Sequence, residues 1–406
     1  MDLPAIEGGK PIRTFFKEYY PKFTDLEKQL VLSVLDSGRL AAGAGKFVHE
    51  FEEAFSKYIG VSHALAVSNG TAALHTSVAS LGIGPGDEVI TTPFSFVATA
   101  TSILHNNAIP IFGDIDLETL NLDPETIPER ITPRTKAILV VHLAGHPAEM
   151  DEIMKIAKEH DLAVIEDCAQ AIGSEYRGRR VGSIGNIGAF SFYQSKNMTT
   201  GEGGMVTTND ESLYRRAKLF IEHGSEERYY HTILGWNYRM TELQAALGVA
   251  QLSRIEELNK AREQIAKIYT EELESLDGQL LTLPKPKKHV KHTWHIYQVL
   301  LKLENLRVNR DRIVEAVKKE NLLVLVAYPR TIYENPLFQN LNGYGKGCPW
   351  SCPYYSAKVT YKPGLAPNAE LAARSVITLP TLAGMTTEDA IDTAKALKRV
   401  LLYYKK

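Results

Sequence analysis

Residues 63–81 read HALAVSNGTAALHTSVASL, and this stretch sets the pattern from which the fold class follows. Its first part, His63 to Ser68, is a short apolar run of the kind that forms a buried strand. Thr71 to Leu81 has the pattern of a helix, and the turn that joins the two segments contains Gly70. A strand followed by a helix is the repeating unit of α/β domains with parallel sheets.

The same alternation continues through the first two thirds of the chain. The predicted strands are 63–68, 88–92, 109–114, 137–143, 162–166 and 188–193, and the predicted helices are 71–81, 95–106 and 149–160. The last helix has apolar residues at helical spacing, namely Met150, Ile153, Met154 and Ala157. Short apolar strands that alternate with amphipathic helices predict an α/β domain with a mostly parallel sheet.

The pattern changes near residue 255, where we place a domain boundary. Thr241 and Gln244 form a predicted capping box that opens a long helical pattern, which continues to about Tyr269. Beyond it, we predict strands at 295–303 and 323–326 and helices at 310–320 and 387–402. The chain is therefore predicted to contain a large domain at 1–255, with an N-terminal arm, and a smaller C-terminal α+β domain at 256–406.

Composition and charge exclude several classes of protein. The 406 residues are 44% hydrophobic and 23% charged, which is ordinary for a globular protein and excludes wholesale disorder. The net charge of −2 provides no basic field for nucleic acid, and no apolar run is long enough to span a membrane. No secretory signal is visible, and three cysteines are typical of a reducing compartment, so we expect a cytoplasmic protein.

Several familiar motifs are absent from the sequence. There is no G-x-G-x-x-G after the early strands, no P-loop, no G-x-S-x-G and no H-E-x-x-H. Cys348 and Cys352 are separated by three residues, but no second pair completes a zinc site. A proline-rich turn with two buried thiols is the simpler interpretation, so we predict no metal site.

One constellation remains, and it begins at the glycine turn quoted above. Gly70 allows the backbone to approach an anion closely, and a helix N-terminus supplies free N–H groups and the positive end of a dipole. Thr71 adds a hydroxyl group. The segment fits a phosphate cradle, although strand–glycine–helix turns of this kind are common in α/β proteins.

Two further residues belong to the ligand-facing edge of the predicted sheet. Asp167 ends an apolar strand, where a desolvated carboxylate needs a cationic partner; the alternative is that it caps the segment that follows. Lys196 lies in a polar loop before the glycine-rich turn 201–204 and 29 residues after Asp167. A buried lysine can form a Schiff base with a carbonyl, whereas an ordinary lysine is a solvated surface amine.

Together, the three segments match the needs of pyridoxal phosphate (PLP). One lysine holds the aldehyde of this cofactor, and one aspartate keeps a proton on its pyridine nitrogen. A glycine-rich helix N-terminus holds its phosphate, and a flat side chain covers its ring. Each segment alone is weak evidence, but their combination predicts a PLP site.

A longer series of motifs leads to a family. The segments are 37–40 with Gly43, 68–73, 93–99, 141–143 with Gly145 and Pro147, 166–171, 182–185, 196–204, 235–240 and 377–380. In this order they resemble the DegT/DnrJ/EryC1/StrS sugar aminotransferases, which are fold type I PLP enzymes. The resemblance covers nearly the whole chain and implies a large domain with a mostly parallel, seven-stranded sheet between helices, plus a smaller C-terminal α+β domain.

The resemblance also implies roles by position. Lys196 would carry the cofactor and move the proton, and Asp167 would pair with the pyridinium nitrogen. Phe96 would stack on the ring, and Gln170 would lie beside the cofactor. The implied phosphate-binding residues are Gly70, Thr71 and Ser191, together with Asn237 from the neighbouring subunit of a homodimer with shared active sites.

The implied activity is transfer of an amino group from glutamate or glutamine to a cyclic ketone, either a keto-sugar nucleotide or a keto-cyclitol. A related dehydratase branch has histidine in place of the lysine, so Lys196 favours transamination. Residues 8–13 and 348–353 look more like members that act on keto-cyclitols or make aminohydroxybenzoate, so a dehydratase or lyase stays an alternative. A non-catalytic regulatory member is another, which the intact Lys196 and Asp167 disfavour.

Overall fold

The computed structural model describes residues 3–406, and a seven-stranded sheet forms its centre. The strands are β1 (His63–Val67), β2 (Glu88–Thr91), β3 (Ile109–Phe112), β4 (Thr135–Val141), β5 (Ala163–Asp167), β6 (Glu175–Tyr176), β7 (Arg179–Arg180), β8 (Ile187–Ser191), β9 (Gly204–Thr208), β10 (Ser225–Glu227), β11 (Tyr230–His231), β12 (Leu281–Thr282), β13 (Val290–Lys291), β14 (Tyr297–Leu301) and β15 (Val376–Leu379). The helices are α1 (Asp25–Ser37), α2 (Phe47–Ile59), α3 (Gly70–Ser80), α4 (Ala98–His105), α5 (Met150–Glu159), α6 (Glu211–Ile221), α7 (Glu242–Ser253), α8 (Ile255–Leu273), α9 (Arg310–Lys319), α10 (Pro336–Gln339), α11 (Pro367–Ser375) and α12 (Thr387–Tyr403).

The central sheet has the strand order β1–β9–β8–β5–β4–β2–β3. Strands β8, β5, β4, β2 and β3 pair in parallel, whereas β9 runs antiparallel to both of its neighbours, β8 and β1. Strand β1 therefore points the same way as the five parallel strands. The predicted α/β fold with a mostly parallel sheet is confirmed, and the carboxyl ends of six strands share one edge of the sheet.

Helices cover both faces of this sheet, as alternate residues of β4 show. Ala137 and Leu139 pack into a cluster with α3, α4 and α6 on one face. Ile138 and Val140 pack against α5 on the other face, and α2 and α7 extend this second layer over β1, β8 and β9. A strand that is buried on both faces has a continuous run of apolar residues, and the sequence of β4 contains such a run.

The C-terminal part of the chain forms a second, antiparallel sheet with the order β12–β14–β15. It packs against α8, α9 and α12 in a core cluster that includes Tyr269 and Ile313. The N-terminal arm contacts this unit, because the main-chain N–H groups of Ala5 and Ile12 donate hydrogen bonds to the buried carboxylate of Glu320. The division of the chain into two domains near residue 255 stays a prediction.

Two predicted elements differ from the structure. The capping box at Thr241 is present, but the long helix breaks at Arg254, whose φ and ψ angles are −112° and 4°. The break allows α7 to pack on α1 and α2 while α8 packs with α12. The predicted strand 323–326 is wrong, because within this stretch only Leu325 forms a bridge, to Thr378 of β15.

The longest helix is α8, which has 19 residues and carries glutamate, lysine and arginine along its length. A helix with this many charges packs on other elements through one apolar face. Across residues 3–406, no helix combines the length and the hydropathy that a bilayer crossing requires.

Candidate active site

Several of the predicted site residues meet at one edge of the central sheet. Asp167 is the last residue of β5, and Ser191 is the last residue of β8. Gly70 begins α3, which follows β1, and Lys196 lies in the loop that follows β8. Because these three strands run in the same direction, their carboxyl ends form a common crevice, which is the usual ligand position in open α/β sheets.

The N-terminus of α3 and the end of β8 form the cradle of Gly70, Thr71 and Ser191. A Cβ atom on Gly70 would lie 2.6 Å from the Cβ of Ser191, so only glycine permits this close approach. Asn69 caps the helix, since its side chain accepts a hydrogen bond of 2.8 Å from the N–H of Ala72. Among the residues that the structure describes, none accepts a hydrogen bond from the N–H of Gly70 or Thr71, so both are available to an anion.

Asp167 is a buried carboxylate that is 4% exposed. Its Oδ2 accepts a hydrogen bond of 2.9 Å from the hydroxyl of Thr99, and its Oδ1 accepts one of 3.1 Å from the N–H of Ala169. Burial raises the pKa of Asp167, because the charged form loses its hydration. In the described chain no helix begins directly after Asp167, so the alternative role as a helix cap is wrong; the hydrogen bond from Ala169 caps a turn instead. A cation beside this carboxylate would offset the cost of its burial.

Lys196 is half-buried, and its charge interacts with that of Asp167. The main-chain N–H of Lys196 donates a hydrogen bond of 2.9 Å to the carbonyl of Tyr193, which folds the loop into a turn. Burial lowers the pKa of Lys196 to about 8, although the negative charge of Asp167 opposes this shift. The amine therefore loses its proton close to physiological pH, and the unprotonated amine is the form that attacks a carbonyl.

Gln170 is held between two other segments of the chain. Its Oε1 accepts a hydrogen bond of 2.9 Å from the N–H of Ala144, and its Nε2 donates one of 2.7 Å to the hydroxyl of Tyr328. Tyr328 also meets Phe94 edge to face, with 5.3 Å between ring centroids. Burial raises the pKa of Tyr328 to about 12, so its hydroxyl stays protonated. Tyr328 thereby connects the C-terminal part of the chain to the site.

Two predicted site residues are exposed on the surface of the chain. Phe96 is 62% exposed, although its neighbours Phe94 and Ser95 are buried. Asn237 is exposed in the segment after the β10–β11 hairpin. The next residue, Tyr238, accepts a main-chain hydrogen bond of 2.7 Å from Ser68, so this segment runs beside the end of β1.

A second buried cluster, next to Asp167, is explained by hydrogen bonds within the protein. His142, Glu166 and Cys168 place potential metal ligands within 4.8 Å of one another. The oxygens of Glu166 accept hydrogen bonds from His142 Nε2 at 3.0 Å and from the N–H groups of Gly182, Ile184 and Gly185. His142 Nδ1 accepts a hydrogen bond from the N–H of Ala148, so Nε2 carries the proton. Burial opposes ionisation, but these donors hold the pKa of Glu166 below its ordinary value.

Two residues of the site, Thr99 and Tyr328, are not singled out by the sequence analysis. Thr99 lies within the matched segment 93–99, but its contact with Asp167 depends on how α4 docks at the sheet edge. Tyr328 lies in an irregular stretch without a motif, and only the packing of the C-terminal unit brings it to Gln170. Neither position has a signal that sequence spacing alone could reveal.

Comparison with known proteins supports this architecture. A family model described as the DegT/DnrJ/EryC1/StrS aminotransferase family matches residues 21–398. The chain is also 38% identical over 384 residues to the GDP-perosamine synthase of Caulobacter vibrioides. This alignment covers 94% of this chain and 97% of that protein. The match therefore extends through the central sheet, the site and the C-terminal unit.

Two solved structures have the same fold. The aminotransferase from Psychrobacter cryohalolentis gives a TM-score of 0.85 at 33% identity and covers 96% of this chain and 99% of that chain. DesI, solved in the presence of its TDP-sugar product, gives a TM-score of 0.84 at 28% identity and covers 97% and 94% of the two chains. The chain belongs to the DegT/DnrJ/EryC1/StrS aminotransferase family and has the fold of the type I PLP enzymes.

Proposed function

We propose that this aminotransferase binds PLP at the edge of the central sheet and moves an amino group from glutamate or glutamine to the keto group of a nucleotide-linked sugar. The observation that carries this proposal is the placement of Asp167 and Lys196 together. Asp167 ends β5 and Lys196 lies in the loop after β8, at the edge of the sheet that also carries the cradle of Gly70, Thr71 and Ser191. Burial shifts the pKa of both groups.

The residues present at the site fit this cofactor. The cradle offers free N–H groups to a phosphate, and any side chain at Gly70 would fill it. Asp167 offers a buried negative charge to a protonated ring nitrogen, and Lys196 offers a nucleophilic amine to an aldehyde. PLP, when bound, supplies an aldehyde that exchanges amino groups and a ring that withdraws electrons.

Each residue then has a defined task in amino transfer. Asp167 keeps a proton on the pyridine nitrogen, because a buried negative charge favours a cation beside it. Lys196 anchors the cofactor and moves the α-proton of the amino donor at its Nζ atom. Thr99 holds Oδ2 of Asp167 in place, and the exposed ring of Phe96 offers a flat apolar surface for stacking.

The acceptor class is supported by the named relatives. The C. vibrioides protein is named for a GDP-linked sugar, and DesI was solved with a TDP-sugar product. Both names refer to a nucleotide-linked sugar. A keto-cyclitol is the other acceptor that the sequence analysis considers, and the test below separates the two classes.

We also propose that the enzyme is a homodimer with shared active sites. Next to Asn237, the segment around the β10–β11 hairpin has exposed apolar side chains: Tyr229 is 82% exposed, Leu234 is 84% exposed and Trp236 is 46% exposed. A group of exposed aromatic and aliphatic side chains is typical of a protein interface. A partner subunit that covers this segment would also bring Asn237 into a shared site.

The proposed location and the proposed partners are supported by composition. The three cysteines, Cys168, Cys348 and Cys352, are free thiols, which supports a reducing cytoplasm. The net charge of −2 supports small-molecule substrates and disfavours nucleic acid as a partner.

The function is tested in two half-reactions of the PLP-loaded enzyme. Glutamate or glutamine is first added without an acceptor, and the absorbance spectrum is expected to change to that of pyridoxamine phosphate. GDP-linked keto-hexoses, TDP-linked keto-hexoses or keto-cyclitols are then added separately, and a nucleotide-linked sugar is expected to restore the first spectrum. Recovery with keto-cyclitols alone would contradict the proposed acceptor.

The same experiment addresses the two alternative functions. Loss of water from an added cyclic substrate, without accumulation of pyridoxamine phosphate, would indicate a dehydratase or lyase. No spectral change with either donor would indicate a regulatory protein. The named sugar aminotransferase relatives and the intact Lys196 and Asp167 favour neither alternative.

A further inference from the structure

Arg262 is a buried arginine on α8 that contacts the main chain of the Lys196 loop. Its side chain donates through Nη2 to the carbonyls of Ser195 at 3.4 Å and Lys196 at 3.0 Å. Through Nη1 it donates to the carbonyls of His295 at 3.0 Å and Thr381 at 2.9 Å. One side chain thus joins three segments that are distant in sequence, and the lysine loop is one of them.

A neighbouring residue on α8 strengthens this anchor. Asn259 lies three residues before Arg262, which places both side chains on one face of the helix. The Oδ1 of Asn259 accepts a hydrogen bond of 2.7 Å from Nδ2 of Asn197, which also donates to the carbonyl of Thr293 at 2.9 Å. Helix α8 therefore holds the loop on both sides of Lys196.

Within residues 3–406, no carboxylate forms a salt bridge or a hydrogen bond with Arg262. The residue is 3% exposed, and burial alone lowers its pKa to about 10, with no contribution from an acid. Among the described residues, its Nη hydrogens are accepted by four carbonyl oxygens and by the hydroxyl oxygen of Thr381 at 3.4 Å, so neutral dipoles surround the cation. A cation that is buried beside an amine disfavours the protonated form of that amine.

We propose that Arg262 is a positioning residue for Lys196: it fixes the main chain at the lysine through the carbonyls of Ser195 and Lys196, and it adds a positive charge at the lysine loop. This inference rests on the proposed role of Lys196 as the cofactor-binding lysine. The charged and titratable groups that act on the amine are Asp167, which favours its protonated form, Arg262, which opposes it, and buried His295. Burial lowers the pKa of His295 well below its usual range, so this ring stays neutral.

The test measures the apparent pKa of Lys196 in the full-length, cofactor-free chain. Acetic anhydride labels unprotonated amines, and mass spectrometry quantifies the label on Lys196 against that on exposed Lys136 at each pH. Arg262→Gln is expected to raise the apparent pKa of Lys196 by about one unit, because a neighbouring positive charge is lost. The ultraviolet and visible spectrum of the PLP-loaded variant, titrated over the same range, would report protonation of the same nitrogen after it has bound the aldehyde, and this pKa is also expected to rise.

Arg310→Gln is the matched control. Arg310 is also a buried arginine that donates to a main-chain carbonyl, that of Ala373, but it lies in the C-terminal unit on α9. The control is expected to leave the pKa of Lys196 unchanged. An unchanged pKa in Arg262→Gln, or an equal rise in Arg310→Gln, would overturn the inference.

Arg262→Lys keeps the positive charge but not the planar fork of donors. We expect a pKa of Lys196 close to that of the parent, with kcat reduced at least tenfold and KM little changed, because the lysine is misplaced. If Arg262→Lys has the kcat of the parent enzyme as well as its Lys196 pKa, the inference is overturned. This outcome does not depend on whether Arg262→Gln folds. Reduction of the parent PLP-loaded enzyme with borohydride, followed by peptide mapping, tests whether Lys196 binds the cofactor. A failure of the proposed function is therefore distinguished from a failure of the proposed role of Arg262.

Discussion

The hydroxyl of Thr99 lies 2.9 Å from Oδ2 of Asp167 and donates a hydrogen bond to it, across the gap between α4 and the end of β5. This contact orients a buried carboxylate that has no basic side chain within hydrogen-bond distance among its partners in the described chain. Burying a carboxylate without a positively charged partner costs free energy, and a cation bound beside it offsets that cost. The relationship therefore supports Asp167 as the partner of a protonated ring nitrogen.

Asp167→Asn removes this negative charge and nearly preserves the shape of the side chain. We expect the rate of amino transfer from glutamate to fall by about a hundredfold or more, which is the scale of a lost electrostatic partner in a buried site. Stopped-flow absorbance of the first half-reaction measures this rate. Asp210→Asn is the control, since Asp210 caps α6 and asparagine also caps helices well. Near-parent rates in Asp167→Asn would contradict the assigned role.

Gly70→Ala tests the phosphate cradle. The added Cβ would lie 2.6 Å from the Cβ of Ser191, so the variant must either shift α3 or lose the free N–H groups. We expect PLP to bind at least tenfold more weakly, measured by fluorescence titration of the cofactor-free chain. Gly84→Ala is the control, because its Cβ would meet only the carbonyl oxygen of Asn106 at 3.8 Å. Equal affinity in the two variants would show that the cradle does not hold the phosphate.

Phe96 and Phe94 are close in sequence but differ in exposure, which gives a paired prediction. Phe94 is 1% exposed, so Phe94→Ala is expected to lower the free energy of unfolding by about 3–5 kcal/mol. Phe96 is 62% exposed, so Phe96→Ala is expected to leave the stability of the cofactor-free chain nearly unchanged and to weaken PLP binding. Denaturant unfolding and PLP titration measure the two effects. Unchanged PLP affinity in Phe96→Ala would exclude stacking on the ring.

The shared site is tested by complementation between an inactive variant and one that is weakened in cofactor binding. Lys196→Ala lacks the amine, and Asn237→Ala is expected to bind the phosphate weakly. If Asn237 serves the partner subunit, a hybrid dimer has both lesions in one site and an intact second site. Activity is therefore expected to rise on mixing, after subunit exchange, above the sum of the separate variants. Demonstrated exchange without a rise would assign Asn237 to its own chain, beside the Ser68–Tyr238 hydrogen bond.

Much of the fold could be predicted because parallel strands carry a strong local signal. The run at 137–143 is apolar on both faces since helices cover both sides of β4, and strand β4 is found at Thr135–Val141. The capping box at Thr241 is equally local, and its hydrogen bonds with Gln244 are present. The strand and the capping box depend on residues that are close in sequence, so the sequence alone predicts them.

The parts that sequence reasoning misplaced depend on tertiary packing. The helical pattern of 241–269 has no breaking residue at Arg254, and the break occurs where the chain passes from one packing layer to another. Leu325 has a strand-like neighbourhood, but β15 pairs with it at one residue only. Arg262 is an unremarkable helical residue in the sequence, and its contacts with the Lys196 loop exist only in the folded chain.

The central claim is that Lys196 holds the cofactor, and its most direct test is chemical. The PLP-loaded enzyme is reduced with borohydride, which fixes PLP to the amine that binds it, and is then digested and mapped by mass spectrometry. We predict a pyridoxyl label on Lys196 that is absent from Lys196→Ala. A label on another lysine, or no label in an enzyme that shows the PLP spectrum, would contradict the account.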